Sequence, residues 1–266
     1  MRKVKQEKTR LLPFFIPHIG CPYICVFCNQ PRISGQQEMV SVDTIRRSIR
    51  EAISEQGHKG QWEVAYFGGS FTAIPQEVQD TLLEPDKEAF QQGIIQGIRL
   101  STRPDAITVE RLTELYESGV RTIELGVQTL DESMLIEAKR GHTVEDVEQA
   151  CKRIRKQGIT LGIQLLPGLP GETWSTLVKT AVKAGQLQAD LCRIYPVIVI
   201  EDTELADRVH EGSYVPLTIE QAVAYSAFLK SYLERKGTQV IRVGLQSTED
   251  FNAGRGIVGG PYAPAF

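Results

Sequence analysis

The sequence predicts an α/β protein built on a parallel sheet with right-handed crossovers, and three observations carry that prediction. Apolar runs of β type recur six times, at residues 12–17, 62–67, 97–102, 122–128, 160–166 and 190–197. Helical patterns fill the gaps between them, each long enough for the crossover that parallel neighbours require. The helix ends are also marked. Ser41 is placed to cap residues 42–56, and Gly119 stops a segment whose apolar face is Leu112, Leu115 and Tyr116. Thr143 followed by Asp146 opens another helix, in which Val147, Cys151 and Ile154 recur at i, i+4 and i+7 until Gly158. Crossovers of this kind are right-handed in nearly all proteins. Periodicity alone leaves open whether the sheet lies flat or curls into a barrel.

No linker, repeat or low-complexity tract divides the chain. Residues 1–11 read as a basic tail, with Arg2, Lys3, Lys5, Lys8 and Arg10 offset only by Glu7. Residues 12–253 form the expected core domain. Residues 254–266 are rich in Gly and Pro, carry Tyr262 and Phe266, and are expected to be a loosely packed tail or a truncated end. The chain is 41% hydrophobic and 24% charged, ordinary for a globular protein, and its net charge of −3 argues against general nucleic-acid binding. The apolar stretch 11–19 is interrupted by two prolines and is shorter than the ~20 residues that span a bilayer. No membrane association is expected, and the cytoplasm is the expected location.

Cysteine usage sharpens this. Three of the five cysteines, Cys21, Cys25 and Cys28, form a C-x3-C-x2-C pattern. In a reducing compartment, clustered thiols read as a metal site rather than a disulfide framework. Cysteine thiolates are the usual ligands of Fe–S clusters, and a 4Fe–4S cluster bound only by protein takes four. Three leave one iron open to a substrate or cofactor. Gly20 and Pro22 suit the bent backbone that turns three sulfurs inward. The competing reading is a structural zinc site of Cys3His type, with His18 or a distant cysteine as fourth ligand. Zinc sites usually present two spaced pairs, and no second pair exists here. Cys151 lies on an apolar helical stripe and Cys192 on a strand, where burial is the default.

On a parallel α/β scaffold, functional groups collect where strands end. The second strand run leads into Gly68-Gly69-Ser70, followed by Thr72; paired glycines let a ligand approach the backbone, and the hydroxyls add polar contacts. The third leads into Ser101-Thr102-Arg103-Pro104-Asp105, where Arg103 either grips a ligand carboxylate or pairs with Asp105 or Glu110. The fourth ends at Gln128, which carries both donors and acceptors. Arg140 is a second candidate for a carboxylate clamp, and His142 beside it reads as structural. Gln164 precedes a stiff bend at residues 166–172. Arg193 and Tyr195 on the sixth run are expected to face inward.

These pieces carry a resemblance. The loop Gly20-Cys21-Pro22-Tyr23-Ile24-Cys25-Val26-Phe27-Cys28 resembles the cluster loop of the radical S-adenosylmethionine (SAM) superfamily, including the aromatic residue before the third cysteine. Gly68-Gly69-Ser70 resembles its GGE-type motif, which meets the amino group of SAM. Ser101-Thr102-Arg103-Pro104-Asp105, Glu124-Leu125-Gly126-Val127-Gln128, Arg140-Gly141-His142-Thr143 and Ile194-Tyr195-Pro196, with the later Thr203, are similar to the radical SAM half of the elongator-complex catalytic subunit. They are more distantly similar to oxygen-independent coproporphyrinogen oxidases. The match runs in order from residue 12 to about residue 245.

The resemblance implies a partial (β/α)6 barrel with one 4Fe–4S cluster at its mouth on Cys21, Cys25 and Cys28, and SAM bound through its amino and carboxylate groups to the open iron. It implies an oxidoreductase that cleaves SAM to a 5′-deoxyadenosyl radical, fed by an electron donor such as flavodoxin or ferredoxin. Its substrate would be RNA or a small molecule. Phe27 and the Gln128 region would flank the nucleoside, and Arg103 and Arg140 would hold the carboxylate. Two departures stand out. Ser101 replaces a frequent glutamate, so one polar SAM contact differs, and Gln164 stands where the coproporphyrinogen oxidases carry aspartate before their G-L-P-G turn. The acetyltransferase half of the elongator subunit is not in this sequence. Only Cys151 and Cys192 lie outside the loop, which counts against a second cluster. Two other readings stay open on the residues: a tRNA-binding or tRNA-modifying elongator-like protein, and a zinc-stabilised structural protein.

Overall fold

The computed structural model describes residues 9–17, 21–29, 38–56, 61–245 and 249–263. Strands β1 (Arg10–Ile16), β2 (Trp62–Gly68), β3 (Gly97–Thr102), β4 (Val120–Gln128), β5 (Thr160–Leu165) and β6 (Leu191–Ile194) correspond to the six runs read from the sequence. A two-residue strand, β7 (Val199–Ile200), follows them, then β8 (Gln239–Val243) and β9 (Ile257–Gly259). The main sheet has the order β1-β2-β3-β4-β5-β6-β8, and every neighbouring pair is parallel.

Helices α1 (Val42–Gln56), α2 (Gln76–Gln91), α3 (Val109–Glu117), α4 (Glu132–Glu137), α5 (Val144–Lys156) and α6 (Trp174–Gln186) return the chain between the first six strands. Helices α7 (Glu204–His210) and α8 (Ile219–Arg235) lead to β8, and α9 (Glu249–Asn252) precedes β9. Polar caps fix where several of them begin. Ser41 Oγ accepts the Thr44 N–H at 3.2 Å. Thr143 and Asp146 form the capping box that the sequence suggests, and Thr173 and Thr218 open α6 and α8 in the same way.

Strand periodicity divides the side chains between two faces. Ile98, Leu100, Ile123, Leu125, Leu161, Ile163, Cys192 and Ile194 are buried in one continuous apolar core with residues of the flanking helices. The residues that alternate with them, such as Arg99, Glu124, Gln164 and Arg193, face the other way. That second face is concave. Arg193 on β6 places its Cζ 5.4 Å from the ring centroid of Phe67 on β2. A flat sheet with strands ~4.8 Å apart would separate these two strands by about 19 Å, farther than the two side chains can bridge. The sheet is therefore a curled half-barrel, with the helices outside and a polar interior.

Three details differ from the sequence reading. A seventh parallel strand, β8, joins the six; it is short and half-exposed at the sheet edge, so its apolar pattern is weak. Residues assigned to the basic tail, Arg10 and Leu11, belong to β1. That strand is an edge, where Pro13 can sit without costing the ladder a needed donor. Residues 254–263 also do more than trail away. β9 pairs antiparallel with β7, and Tyr262 packs edge-on against the buried Phe251 at 5.9 Å. A three-residue strand is too short to show a period of two.

Candidate active site in the mouth of the half-barrel

The cysteine loop follows β1 and is held by its middle residue. Val26 is 1% exposed and packs with Met134, Ala138 and Leu205. Its N–H donates to the Ala138 carbonyl at 3.3 Å, and its own carbonyl accepts the Leu205 N–H at 2.8 Å. The burial of this side chain explains an apolar residue between the second and third cysteines. A second anchor is the ring of Tyr23, which lies against Gly141. A Cβ at Gly141 would sit 2.4 Å from that ring, and its φ of +74° also favours glycine. Arg103 covers the same ring, with its Cζ 4.9 Å from the centroid.

Helix α4 delivers Arg140. Lys139 takes a left-handed conformation, φ +53°, and the Arg140 N–H donates back to the Leu135 carbonyl at 2.9 Å, closing the helix with a Schellman-type turn. The Arg140 guanidinium then donates from Nη2 to the Gly126 carbonyl at 2.7 Å and from Nη1 to Cys25 Sγ at 3.1 Å. Arg103 is 2% exposed and commits its fork to Asp105, with both bonds at 2.9 Å. It also donates to the Arg140 carbonyl at 2.5 Å, and its Nη1 faces Cys21 Sγ at 3.8 Å. Of the two outcomes open for Arg103 in the sequence, the pairing with Asp105 is the one formed, so Arg103 does not offer a free bidentate fork. Burial works against its charge, but Asp105 outweighs it and the pKa of Arg103 is raised.

Gln128 reaches the cavity through an irregularity. The β4–β5 register shifts between Gly126 and Gln128, and Gln128 adopts φ +70°, a left-handed conformation uncommon for a residue with a side chain. The bulge turns its amide toward Arg140. A Cβ on Gly126 would lie 3.1 Å from Gln128 Nε2 and 3.3 Å from Arg140 Nη2, so the two groups sit side by side over that glycine. The paired glycines after β2 have backbone reasons of their own: Gly68 has φ +94°, and a Cβ on Gly69 would lie 2.7 Å from the Pro17 carbonyl oxygen. Ser70 is buried and makes no side-chain cap bond to the turn it begins.

Every site residue read from the sequence lines one cavity of about 410 Å³: Cys21, Cys25, Phe27, Cys28, Gly68, Gly69, Ser70, Ser101, Arg103, Gln128, Arg140 and Gln164. His18 and Gly20 lie outside the described residues. His142 is buried. Burial first, then the charges of Arg140 and Arg103, push its pKa down to about 3, which leaves a neutral imidazole. Cys151 and Cys192 are buried in the outer core, and burial drives the Cys151 thiol up to about 12 and that of Cys192 higher still.

Arg193 and Tyr195 line the cavity, as the sequence suggests, but the charge ladder they belong to has no counterpart in the sequence reading. Glu63 accepts from Arg99 at 2.9 Å and from Thr122 at 2.8 Å. Arg99 also donates to Glu124 at 2.7 Å, and Glu124 accepts Arg193 at 2.5 and 3.1 Å. Arg193 reaches on to the Tyr195 hydroxyl at 3.4 Å. Glu124 passes beneath β5 to reach β6, and Gly162 makes room for it: a Cβ there would lie 2.8 Å from Glu124 Cγ. Burial pulls Glu124 toward the neutral form, but Arg193 and Arg99 outweigh it and its pKa is lowered. A signal for this ladder does exist, since each member is a lone charge inside an apolar run, and buried charges are paired.

Two features test whether an Fe–S cluster and SAM fit. Among the described residues, no group of three His, Cys, Asp or Glu side chains is placed to hold a single metal ion, and His18, the fourth ligand of the zinc reading, lies outside them. A cubane, by contrast, offers each thiolate its own iron. Beside Cys25, two buried polar atoms lack partners: the donor Arg140 Nε and the acceptor Gln128 Oε1. A ligand that carries a carboxylate and an amino group has the acceptor that the first lacks and the donor that the second lacks. The cavity thus fits an amino-acid head next to a thiolate-bound cluster.

The sequence profile of the radical SAM superfamily matches residues 15–184, and the profile named Radical_SAM C-terminal domain matches residues 189–266. Among curated relatives, an uncharacterized protein of Methanocaldococcus jannaschii is 28% identical over 252 residues, covering 91% of this chain and 76% of the relative. A tRNA uridine(34) acetyltransferase of the same organism is 29% identical over 206 residues, 70% of this chain but only 38% of the relative. In structure, archaeal Methanocaldococcus infernus Elp3 with an N-terminal deletion superposes with a TM-score of 0.74 at 22% identity, over 96% of this chain and 60% of that one. The superfamily profile spans well over half of the sequence and includes the whole cysteine loop. The chain therefore belongs to the radical SAM superfamily, enzymes that work with a 4Fe–4S cluster and S-adenosylmethionine.

Proposed function

We propose that this chain is an oxidoreductase that cleaves SAM reductively and directs the resulting 5′-deoxyadenosyl radical at hydrogen abstraction from a polar substrate. The observation that carries the reading is the pair of unpartnered atoms, Arg140 Nε and Gln128 Oε1, beside Cys25. Cys21, Cys25 and Cys28 hold the cluster, Arg140 takes the SAM carboxylate, and Gln128 accepts from its amino group. The Gly68-Gly69 turn lets the backbone approach the methionyl chain, and Ser70 offers a hydroxyl there. Phe27 packs against the nucleoside, and Ser101 and Gln164 line the walls as neutral contacts. When bound, the reduced cluster supplies the electron that splits the sulfonium; the protein orients SAM and keeps water and stray hydrogen donors away. Arg193 and Tyr195 bound the opposite, substrate end. A small electron carrier such as flavodoxin or ferredoxin supplies the electron. No helix among the described residues is long and apolar enough to cross a membrane, and cysteines kept as free thiols for a cluster suit the reducing cytoplasm.

Anaerobic reconstitution with iron and sulfide tests this: the protein should bind four irons and, under dithionite, release 5′-deoxyadenosine from SAM. Release that survives replacement of all three loop cysteines by serine would refute the proposal. A second reading makes tRNA the substrate, supported by the relatives named tRNA uridine(34) acetyltransferases. A mobility-shift assay with tRNA at two salt concentrations checks it, because phosphate contacts weaken as salt rises; no shift at low salt removes it.

A further inference from the structure

Arg140 is fixed on every side before any ligand arrives. Its N–H is held by the Leu135 carbonyl at 2.9 Å, its carbonyl by Arg103 at 2.5 Å, and its guanidinium by the Gly126 carbonyl at 2.7 Å. Cys25 is fixed just as firmly, because the next residue, Val26, bonds through its N–H to Ala138 at the end of the helix that delivers Arg140. The contact between Arg140 Nη1 and Cys25 Sγ at 3.1 Å therefore follows from the backbone on both sides. Its setting is dry: Cys25 is 4% exposed and Arg140 6%, whereas Cys21 and Cys28 are each partly exposed. The equivalent contact at Cys21 is longer, 3.8 Å, and comes from an arginine already neutralised by the Asp105 carboxylate. The Cys25 sulfur thus faces, at hydrogen-bond distance, a guanidinium that no carboxylate among the described residues pairs with.

We infer that Arg140 is a positioning and tuning residue for the cluster, donating an N–H···S hydrogen bond to the Cys25 thiolate and raising the reduction potential of the cluster. The inference rests on the function proposed above, since it needs a cluster on these cysteines. Hydrogen bonds to cluster sulfurs and nearby positive charge favour the reduced, more negative state, and they act most strongly where water is excluded. The geometry also gives Arg140 two tasks on two different atoms. Nη1 serves the cluster, and Nε, unpartnered, is left for the SAM carboxylate. Reducing the cluster and binding its co-substrate then depend on one rigid side chain.

The experiment is an EPR-monitored redox titration of reconstituted wild type, Arg140→Lys, Arg140→Gln and Arg103→Gln, all without SAM. Iron and sulfide counts first establish that each holds an intact cluster. The midpoint should move to a more negative potential in Arg140→Gln, by less in Arg140→Lys, and least in Arg103→Gln. An Arg140→Gln cluster with the wild-type midpoint overturns the inference, even if that variant binds SAM poorly, because the residue would then serve the carboxylate alone. A second measurement uses the wild type by itself and so does not depend on any variant assembling. In wild-type protein labelled with 15N-arginine, pulsed EPR of the reduced, SAM-free cluster should show a weak nitrogen coupling. Absence of that coupling also overturns the inference. A wild type that assembles no cluster at all brings down the proposed function, and this inference with it, and is told apart by the iron count.

Discussion

The mouth of the cavity and the charge ladder beneath it are built in opposite ways. At the mouth, the three thiols come from eight consecutive residues, and their partners arrive from two neighbouring turns, through Arg103 and Arg140. Deeper in the half-barrel, a ladder of single residues on four strands, Glu63 on β2, Arg99 on β3, Glu124 on β4 and Arg193 on β6, is linked through buried ion pairs that run across the sheet. The first is a motif and the second is a network. A motif places its groups through local backbone, so the loss of one group removes a ligand. A network places its groups through one another, so the loss of one group strands a buried charge.

Replacing Cys25 with serine should have the largest effect. It removes a cluster ligand, and iron content and 5′-deoxyadenosine release should both fall to background while the fold, followed by far-UV circular dichroism, persists. Substituting Glu124 by Gln should do the reverse. It leaves Arg99 and Arg193 short of a carboxylate, and breaking a buried ion pair costs about 3–5 kcal/mol, measurable by urea denaturation. Because the pKa of Glu124 is lowered in the fold, its contribution is present above the unfolded carboxylate range and disappears as pH falls through its folded value. The gap between Glu124→Gln and wild type should therefore narrow in acid, and a gap independent of pH would contradict the ladder.

Gly162→Ala sharpens the contrast with a smaller change. The new Cβ crowds the Glu124 side chain at 2.8 Å, so it should cost ~1–3 kcal/mol by overpacking and leave iron binding intact. Loss of iron in this variant would mean that the mouth and the ladder are not separable. The smallest effect on the site should come from Asp86, which lies outside both. It is wholly buried against the Tyr66 hydroxyl at 2.6 Å, and burial, partly offset by that bond, raises its pKa to about 7. A raised carboxylate pKa favours the fold while the group is protonated. Asp86 should thus cost stability progressively as pH rises from about 4 to about 7. Asp86→Asn should flatten that part of the stability–pH curve without altering SAM cleavage.

These contrasts also explain what was legible beforehand. Three cysteines at fixed spacing announce themselves because cluster ligation needs a short, bent loop. Gly68-Gly69, Arg140 and Gln128 were visible because strand ends of a parallel sheet are where unusual residues acquire a use. The role of Arg103 was not decided, since Asp105 and a ligand carboxylate look alike to an arginine until distances are known. Glu124 was read only as part of a motif. Its reach beneath β5 depends on the missing side chain of Gly162, a residue thirty-eight positions away in the chain. β8 and β9 carry little periodic signal because one is a half-exposed edge strand and the other has three residues.

The sequence by itself determined the alternation of strands and helices, the cysteine loop and the kind of ligand-facing residues at the strand ends. Each of these is encoded in contiguous residues, through hydrogen-bonding period, capping or ligand spacing. The tertiary structure alone decided that the sheet curls, that Arg103 closes on Asp105 while Arg140 meets Cys25, and that four distant charges pair across the sheet. Those outcomes depend on which side chains the curvature of the sheet brings together, and curvature is a property of the assembled strands rather than of any one of them.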